Sequence, residues 1–247
     1  MRLPRFYYPF QLSQGASIAL PESVAHHAIR VLRIKKNEAL VLFDGYGGEY
    51  IANVLKIELH QTTVLVGEKR AIERESPLQI TLVQALQSGE KMDMTIQKSV
   101  ELGVSKVIPV ISARSVLKID KERAQKRLLH WQAIAISACE QCGRNQIPLI
   151  SPVIPLEKWL TTANETKTCR LMLNPQADTS FSDYYAYPSN IPIELLVGAE
   201  GGLSPEEISI AESAGFLSVS LGPRILRTET AGLGALAIIQ YLWGDLR

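Results

Sequence analysis

Two arginines, a glutamate and two threonines stand close together near the end of the chain, in LGPRILRTETAGLG at residues 221–234. Arg227 and Glu229 are residues that could take part in a reaction, because a guanidinium stabilises a developing negative charge and a carboxylate accepts a proton. A helix start would explain Thr228 or Thr230 as the N-cap, with Glu229 favoured by the helix macrodipole. A helix start would not explain the two arginines, because the helix macrodipole disfavours cations at a helix N-terminus. We therefore interpret the segment as a functional site.

The elements predicted around this segment suit a ligand site. An apolar strand at residues 217–221 leads into it, and an apolar helix at residues 235–243 follows it. Two earlier predicted strands, at residues 168–173 and 193–197, also end in loops that contain glycine or proline. Three such loops at one sheet edge predict a pocket rich in main-chain N–H and C=O groups. The pocket suits a neutral or zwitterionic cofactor, because neither a dinucleotide fingerprint nor a Walker loop is present.

The pattern of apolar residues divides the chain into two domains. Before about residue 72, a short helix at residues 21–33 and short strands around glycine turns predict a small β-barrel. After it, alternating strands and helices predict an α/β sheet. The charged segment at residues 69–77 marks the boundary, so we expect domains at residues 1–72 and 73–247. Further strands are predicted at residues 40–43, 49–55, 62–66, 78–86 and 106–111, and helices at residues 91–102, 121–141 and 204–215.

Composition indicates a globular protein with a substantial core: 247 residues, 46% of them hydrophobic, with a formal net charge of +1. So small a charge gives no global electrostatic case for nucleic acid. Residues 1–150 nevertheless carry 20 Lys and Arg against 14 Asp and Glu, whereas residues 151–247 carry 6 against 11. No apolar run reaches transmembrane length, and no apolar signal-peptide core is present. Three cysteines form no disulfide framework, so the expected compartment is the reducing cytoplasm.

Cys139 and Cys142 form a CxxC motif at the end of a predicted helix. A structural zinc site needs a second ligand pair, and a redox CxxC begins a helix rather than ending one. We therefore interpret these residues as buried or half-buried thiols and expect no metal site.

The chain resembles the bacterial 16S ribosomal RNA (uracil-N3)-methyltransferases, which are S-adenosylmethionine (AdoMet)-dependent enzymes of the SPOUT class. The resemblance rests on LVGAEGGLSPEE at residues 196–207 and LGPRILRTETA at residues 221–231. The family commonly has proline where this chain has Ala199, a change that loosens a loop without removing a functional group. Further matches cover nearly the whole chain: PRFY at residues 4–7, His27, VLR at 31–33, Lys98, ELGV at 101–104, Arg114, Ser115, Glu140, Gln141, Arg144, Ile147 and Pro148.

The resemblance implies a SPOUT-type, Rossmann-like α/β sheet with helices on both faces and a deep trefoil knot, preceded by a PUA-like β-barrel. It also implies a homodimer that acts on 16S rRNA or the small ribosomal subunit, with AdoMet as cofactor. The main chain of these residues would hold AdoMet: Leu173, Gly198, Gly202, Leu221, Gly222, Ile225 and Leu226. The target base would leave its stack to reach the methyl group, so a single-stranded or loop RNA is expected.

Catalytic and RNA-binding roles follow from the same resemblance. Arg227 would stabilise the uracil anion that forms when N3 loses its proton, and Glu229 would orient Arg227 or take that proton. Contacts with RNA phosphates are expected from Arg5, Arg30, Arg33, Arg114 and Arg144.

Two other functions stay open at this point. One is a SPOUT methyltransferase that acts on another RNA position, because the same late loops would serve it. The other is a nonenzymatic RNA-binding protein, although binding alone would not require both Arg227 and Glu229. A nucleotide-dependent oxidoreductase is less favoured, because its dinucleotide fingerprint is missing.

Overall fold

The computed structural model describes residues 3–58, 61–115, 119–162, 167–184 and 191–246. The chain divides into two compact units. The first contains Met1–Glu75 and Cys139–Ile147, and the second contains Ser76–Ala138 and Pro148–Arg247. The sequence-based boundary, between residues 72 and 73, lies close to the first of these divisions. The sequence-based division did not assign Cys139–Ile147 to the first domain, whereas the structure places this segment in the first unit.

The first unit is built on a mixed sheet of five strands: β1 (Arg5–Tyr7), β2 (Ser17–Ala19), β3 (Ala39–Phe43), β4 (Glu49–Ile57) and β5 (Thr62–Arg70). Their order in the sheet is β1-β3-β4-β5-β2, in which β1 is parallel to β3 and the other pairs are antiparallel. Side chains alternate between buried and exposed along much of β4, as expected for a sheet with one covered face. In the described residues, no pairing joins the two outer strands.

A short helix, α1 (Glu22–His26), continues directly into a π-helical turn at His27–Val31. Single π-helical turns are rare and occur often at functional sites. Arg33 follows the turn with a φ of 57°, a left-handed conformation that few residues other than glycine adopt. Arg30 and Arg33 are both exposed. The predicted helix at residues 21–33 is therefore present but is not a regular α-helix throughout.

The second unit is a seven-stranded sheet in which every pairing is parallel. The strands are β6 (Ile80–Ala85), β7 (Lys106–Ile111), β8 (Leu149–Ile150), β9 (Ile154–Pro155), β10 (Cys169–Leu173), β11 (Ile193–Val197) and β12 (Leu217–Val219). Their order in the sheet is β12-β10-β11-β6-β7-β8, and β9 also pairs with β7. The helices are α2 (Lys91–Glu101), α3 (Lys121–Cys142), α4 (Leu156–Thr161), α5 (Pro205–Ser213) and α6 (Thr228–Trp243).

Helices cover both faces of this sheet. Val83 and Leu196 belong to one apolar core that also contains Trp159 of α4 and Ala211 of α5. Successive side chains of a strand point to opposite faces, so Gln84 and Val197 lie on the other face, where α6 packs on β11. The predicted α/β architecture with two covered faces is therefore confirmed.

β10, β11 and β12 are parallel neighbours, so their carboxyl ends meet at one edge of the sheet. The register pairs Leu173 with Val219 at that edge. The predicted convergence of three loops is therefore confirmed for this sheet. Because β6 pairs with β11, the loop after β6 lies beside them.

The start of α6 differs from the sequence-based expectation. We expected a loop through residue 234 and a helix from residue 235, but the helix begins at Thr228 with Arg227 as its N-cap. Among the residues that the structure describes, no side chain caps this helix. By contrast, Ser204 and Glu207 form a capping box at the start of α5, where the sequence predicts a helix from residue 204. Among the described residues, no helix is long and apolar enough to cross a membrane.

Candidate functional site

The segment after β12 leaves its main chain available to a ligand. Gly222 turns the chain with a φ of 89°. In the described part of the chain, no main-chain N–H or C=O group of residues 221–226 makes a hydrogen bond within the protein. Ile225 is 87% exposed, which places an apolar side chain beside these polar groups. Main-chain groups that lack a protein partner must be satisfied by water or by a ligand.

The loop after β11 folds tightly on itself. Gly202 donates a hydrogen bond to the Ala199 carbonyl oxygen at 2.9 Å and has a φ of 73°. A Cβ atom on Gly198 would lie 2.8 Å from the main-chain carbonyl carbon of Gly202, closer than real Cβ contacts allow. Glycine is therefore required at position 198 by close approach, although its own φ is not left-handed.

Two side chains from neighbouring elements hold the same loop. Arg114, which follows β7, donates to the Gly201 carbonyl oxygen at 2.8 Å. Glu200 accepts hydrogen bonds from the Ser88 main-chain N–H at 3.1 Å and from its hydroxyl at 3.0 Å. Partial burial raises the pKa of the Glu200 carboxyl, but the Ser88 bonds, its own main-chain N–H and nearby Lys91 together hold that pKa below its ordinary value.

Arg227, the N-cap of α6, and Glu229, in the first turn of that helix, lie in different environments. Arg227 is exposed, and no described residue forms a hydrogen bond or an ion pair with its side chain. Glu229 is only 8% exposed, and its Oε2 atom is buried without a hydrogen-bond partner among the described residues. Residues two apart on a helix do not face each other. The expectation that Glu229 orients Arg227 is therefore not supported by a direct contact.

The structure brings the seven predicted cofactor residues to one sheet edge. Leu173 ends β10, and the loops that follow β11 and β12 contain the others. Their main-chain groups lie where ligands bind in parallel α/β sheets. These residues are Leu173, Gly198, Gly202, Leu221, Gly222, Ile225 and Leu226.

Two of the five arginines expected to contact RNA are buried instead. Arg144 is 5% exposed and pairs with Glu75 at 2.7 Å. Arg5 is 8% exposed, pairs with Glu49, and donates to Asn145 Oδ1 at 2.8 Å. Their guanidinium groups are used inside the first unit, and withdrawing them would deprive buried Glu49 and half-buried Glu75 of their closest cationic partners. This corrects the assignment of Arg5 and Arg144 to RNA phosphates.

Cys139 is buried, and burial raises the pKa of its thiol to about 12 in spite of nearby Arg144. A thiol is a metal ligand and a nucleophile only as the thiolate. Cys139 is therefore a buried thiol and Cys142 a half-buried one, as the sequence predicted. In the described residues, no three potential metal ligands lie together.

Sequence reasoning missed the polar residues that lie beneath the site. Gln84 and Gln87 are fully buried at the end of β6, and Thr228 is buried at the start of α6. The signal was present: a glutamine interrupts the apolar run TLVQAL at residues 81–86. Buried amides are expected only where they find partners.

Fold and site together define a class: a two-unit protein with a parallel α/β sheet and a ligand edge made of main-chain loops. The family model described as RNA methyltransferase domain matches residues 74–240, and the one described as RNA methyltransferase PUA domain matches residues 20–66. The chain therefore belongs to the RNA methyltransferase family. The family resemblance inferred from the sequence motifs is confirmed.

Similar proteins agree with this assignment over the full chain. Ribosomal RNA small subunit methyltransferase E from Buchnera aphidicola is 37% identical, over 99% of this chain and 98% of the relative. The enzyme of that name from Neisseria gonorrhoeae, in a crystal structure with S-adenosyl methionine, is 42% identical with a TM-score of 0.92 and full coverage of both chains. A putative methyltransferase from Legionella pneumophila, in complex with SAM, is 40% identical with a TM-score of 0.94 and full coverage of both chains.

Proposed function

We propose that the protein transfers the methyl group of AdoMet to N3 of a uridine in the 16S RNA of the small ribosomal subunit. The observation that carries the proposal is the free main chain of residues 221–226, which runs directly into the exposed, unpaired Arg227. A cofactor site and a cation for the substrate are thus adjacent in the chain. Relatives named ribosomal RNA small subunit methyltransferase E support the substrate class.

The residues present fit AdoMet. Residues 221–226 supply unpaired main-chain donors and acceptors, which suit the polar edges of an adenosyl group and a zwitterionic amino acid. The exposed Ile225 supplies an apolar surface beside them. AdoMet, when bound, supplies an electrophilic methyl group on a sulfonium.

Arg227 acts on the substrate base. Uracil N3 carries a proton and is a poor nucleophile until that proton leaves. A guanidinium near O2 or O4 stabilises the anion as it forms, in the manner of an oxyanion site. The cation stands at a helix N-terminus, where the macrodipole disfavours it, so its position needs a functional explanation.

Glu229 takes the N3 proton, directly or through a water molecule. Its carboxylate is buried, and one of its oxygens lacks a hydrogen-bond partner among the described residues. An unsatisfied carboxylate oxygen is available to accept a proton. The absence of a contact with Arg227 favours this role over the orienting role.

Exposed cations complete the proposed RNA interactions. Arg30 and Arg33 lie at the π-helical turn of the first unit, and Arg114 lies beside the loop after β11 in the second. They would contact RNA phosphates, whereas Arg5 and Arg144 would not.

From the family resemblance we also propose a homodimer with its site near the dimer interface, and a cytoplasmic reaction, because rRNA is made there. Sedimentation of the purified protein tests the dimer.

Mass spectrometry of nucleosides tests the reaction. Small-subunit RNA, free and assembled, is incubated with AdoMet and the wild type, Arg227→Ala or Arg123→Ala. We expect 3-methyluridine with the wild type and with Arg123→Ala, which removes an exposed arginine of α3. Arg227→Ala should give none while calorimetry shows normal AdoMet binding. A different methylated nucleoside would contradict N3, and near wild-type turnover by Arg227→Ala would remove Arg227 from the mechanism.

A further inference from the structure

A buried polar cluster lies between β6, α2 and the first turn of α6, and the proposed chemistry does not use it. Gln84, Gln87 and Thr95 are fully buried, and Thr228 is 7% exposed. The neighbouring positions of β6 carry Leu82, Val83 and Ala85, all of them buried and apolar. Burying a polar side chain in apolar surroundings lowers the stability of the fold unless the side chain forms hydrogen bonds there.

Thr228 connects the start of α6 to the loop after β11. Its hydroxyl donates to the Gly198 carbonyl oxygen at 2.6 Å. Gln84 Nε2 donates to the same hydroxyl oxygen at 3.1 Å. Because an amide nitrogen only donates, the hydroxyl accepts from Gln84 and its proton is directed at Gly198.

Gln87 fixes the same turn from the side of α2. Its amide satisfies its partners when the nitrogen donates to the Thr95 hydroxyl at 2.8 Å and to the Lys91 carbonyl oxygen at 3.2 Å. Its oxygen then accepts from the Glu229 main-chain N–H at 3.3 Å. The first turn of α6 is therefore held at two consecutive residues, Thr228 and Glu229.

This arrangement lowers the stability of the fold at one atom of the cluster. Gln84 Oε1 is buried without a hydrogen-bond partner among the described residues, although an apolar side chain would have removed that cost. Each unsatisfied buried polar atom in a native structure needs an explanation. Here the nitrogen of the same amide orients the Thr228 hydroxyl, and that bond explains why the glutamine is present.

We propose that Thr228 is a positioning residue that fastens the cofactor loop at residues 198–202 to the turn that carries Arg227 and Glu229. The inference rests on the proposed function, because it assigns the loop to the cofactor and the turn to the base. One hydrogen bond thereby fixes the distance between the methyl donor and the residues that prepare its acceptor. Small displacements of reacting groups lower rates strongly, so such a bond affects turnover more than ground-state binding.

Three variants of the full chain test the proposal. Thr228→Val removes the hydroxyl at nearly constant volume, and Thr228→Ser keeps it. Ser99→Ala is the matched control, because Ser99 is fully buried in α2 and its hydroxyl also donates to a main-chain carbonyl, that of Ile96 at 2.9 Å. Thr228→Ala replaces the valine variant if the latter does not fold.

The first readout is hydrogen–deuterium exchange of residues 198–203 without AdoMet. We expect faster exchange in Thr228→Val and wild-type exchange in Thr228→Ser and Ser99→Ala. The second is kinetics, normalised to the sites that bind AdoMet by calorimetry. We expect kcat of Thr228→Val to fall by roughly 10- to 100-fold, with a smaller change in AdoMet affinity, and Thr228→Ser to recover it.

The outcomes separate this proposal from the proposed function. If the wild type binds AdoMet but methylates no small-subunit RNA, the proposed function is wrong, and exchange and affinity still decide the role of Thr228. If Thr228→Val matches the wild type in loop exchange and in kcat, the positioning role is wrong. A loss of thermal stability equal to that of Ser99→Ala, with unchanged kcat per active site, would likewise overturn it.

Discussion

Arg227 and Arg144 are the same residue type in opposite environments. Arg144 is 5% exposed and held by Glu75, whereas Arg227 is exposed and no described side chain neutralises it. A buried guanidinium without a partner would be strongly destabilising, so Arg144 has a fixed structural use. Solvent satisfies an exposed guanidinium, and it can exchange water for a substrate. Exposure and pairing thus distinguish Arg144, which is held inside the fold, from Arg227, for which we propose a role in catalysis, and sequence spacing did not make this distinction.

Glu229→Gln tests whether the buried carboxylate accepts the proton. The amide keeps the shape of the side chain but cannot accept a proton at neutral pH. We expect kcat to fall by roughly one to three orders of magnitude, with AdoMet affinity unchanged in calorimetry. Glu206→Gln is the matched control, because Glu206 occupies the same position of α5, two residues after the N-cap, and is exposed. Equal kcat values for Glu229→Gln and the wild type would contradict the proton-acceptor role.

At the scale of elements, the loop after β11 shows how steric fit shapes the site. Gly198→Ala would place a Cβ atom 2.8 Å from the Gly202 main chain, so the loop must open. We expect AdoMet binding to weaken at least tenfold in calorimetry, and the free energy of unfolding to fall by about 1–3 kcal/mol. The Gly202 main chain cannot move aside to make room for this Cβ atom, as the end of a flexible side chain could.

Gly234→Ala is the control for this substitution. A Cβ atom there meets nothing within 4 Å, and the residue lies inside α6. Alanine in a helix interior should therefore stabilise the protein by about 1 kcal/mol in urea denaturation, with AdoMet binding unchanged. If Gly198→Ala binds AdoMet as the wild type does, the loop does not need its tight fold.

The elements that could be predicted from the sequence are those with a clear period or an end signal. β7 and β11 were predicted with the bounds that the structure shows, and the helix predicted from residue 204 is α5, with Ser204 as its N-cap. The start of α6 was missed, because TETAGLG is poor in strong helix formers. Its helix is stabilised by packing, since Gly232 allows α6 to approach Gln84 and Val197 closely.

Short elements could not be predicted for a different reason. β2, β8 and β9 have two or three residues each, too few to show a period, and no element was predicted where α4 lies. The site itself was predicted in part. Arg227 was noticed because a cation is misplaced at a helix start, but Gln84 depends on α6 packing over β6, which no local pattern reports. The trefoil knot stays a prediction of the family resemblance, since periodicity carries no information on chain threading.

At the scale of the whole molecule, the first unit is completed by a distant part of the chain. Residues Cys139–Ile147 belong to it, although they follow most of α3 in the sequence. Arg144 binds Glu75, and the Asn145 and Gln146 N–H groups donate to the same carboxylate at 3.0 and 3.1 Å. A division of the chain after residue 75 separates Glu75 from all of these partners.

We therefore expect residues 1–75 alone not to fold stably. Without Cys139–Ile147, buried Arg5 loses Asn145, and Glu75 loses Arg144. Breaking a buried pair costs about 3–5 kcal/mol, which approaches the whole stability of a small domain. Circular dichroism of the fragment should show no cooperative thermal transition. A fusion of residues 1–75 to residues 139–147 through a flexible linker is the matched control, and it should regain one. A fragment of residues 1–75 that melts cooperatively at the temperature of the fusion would show that the returning segment is dispensable.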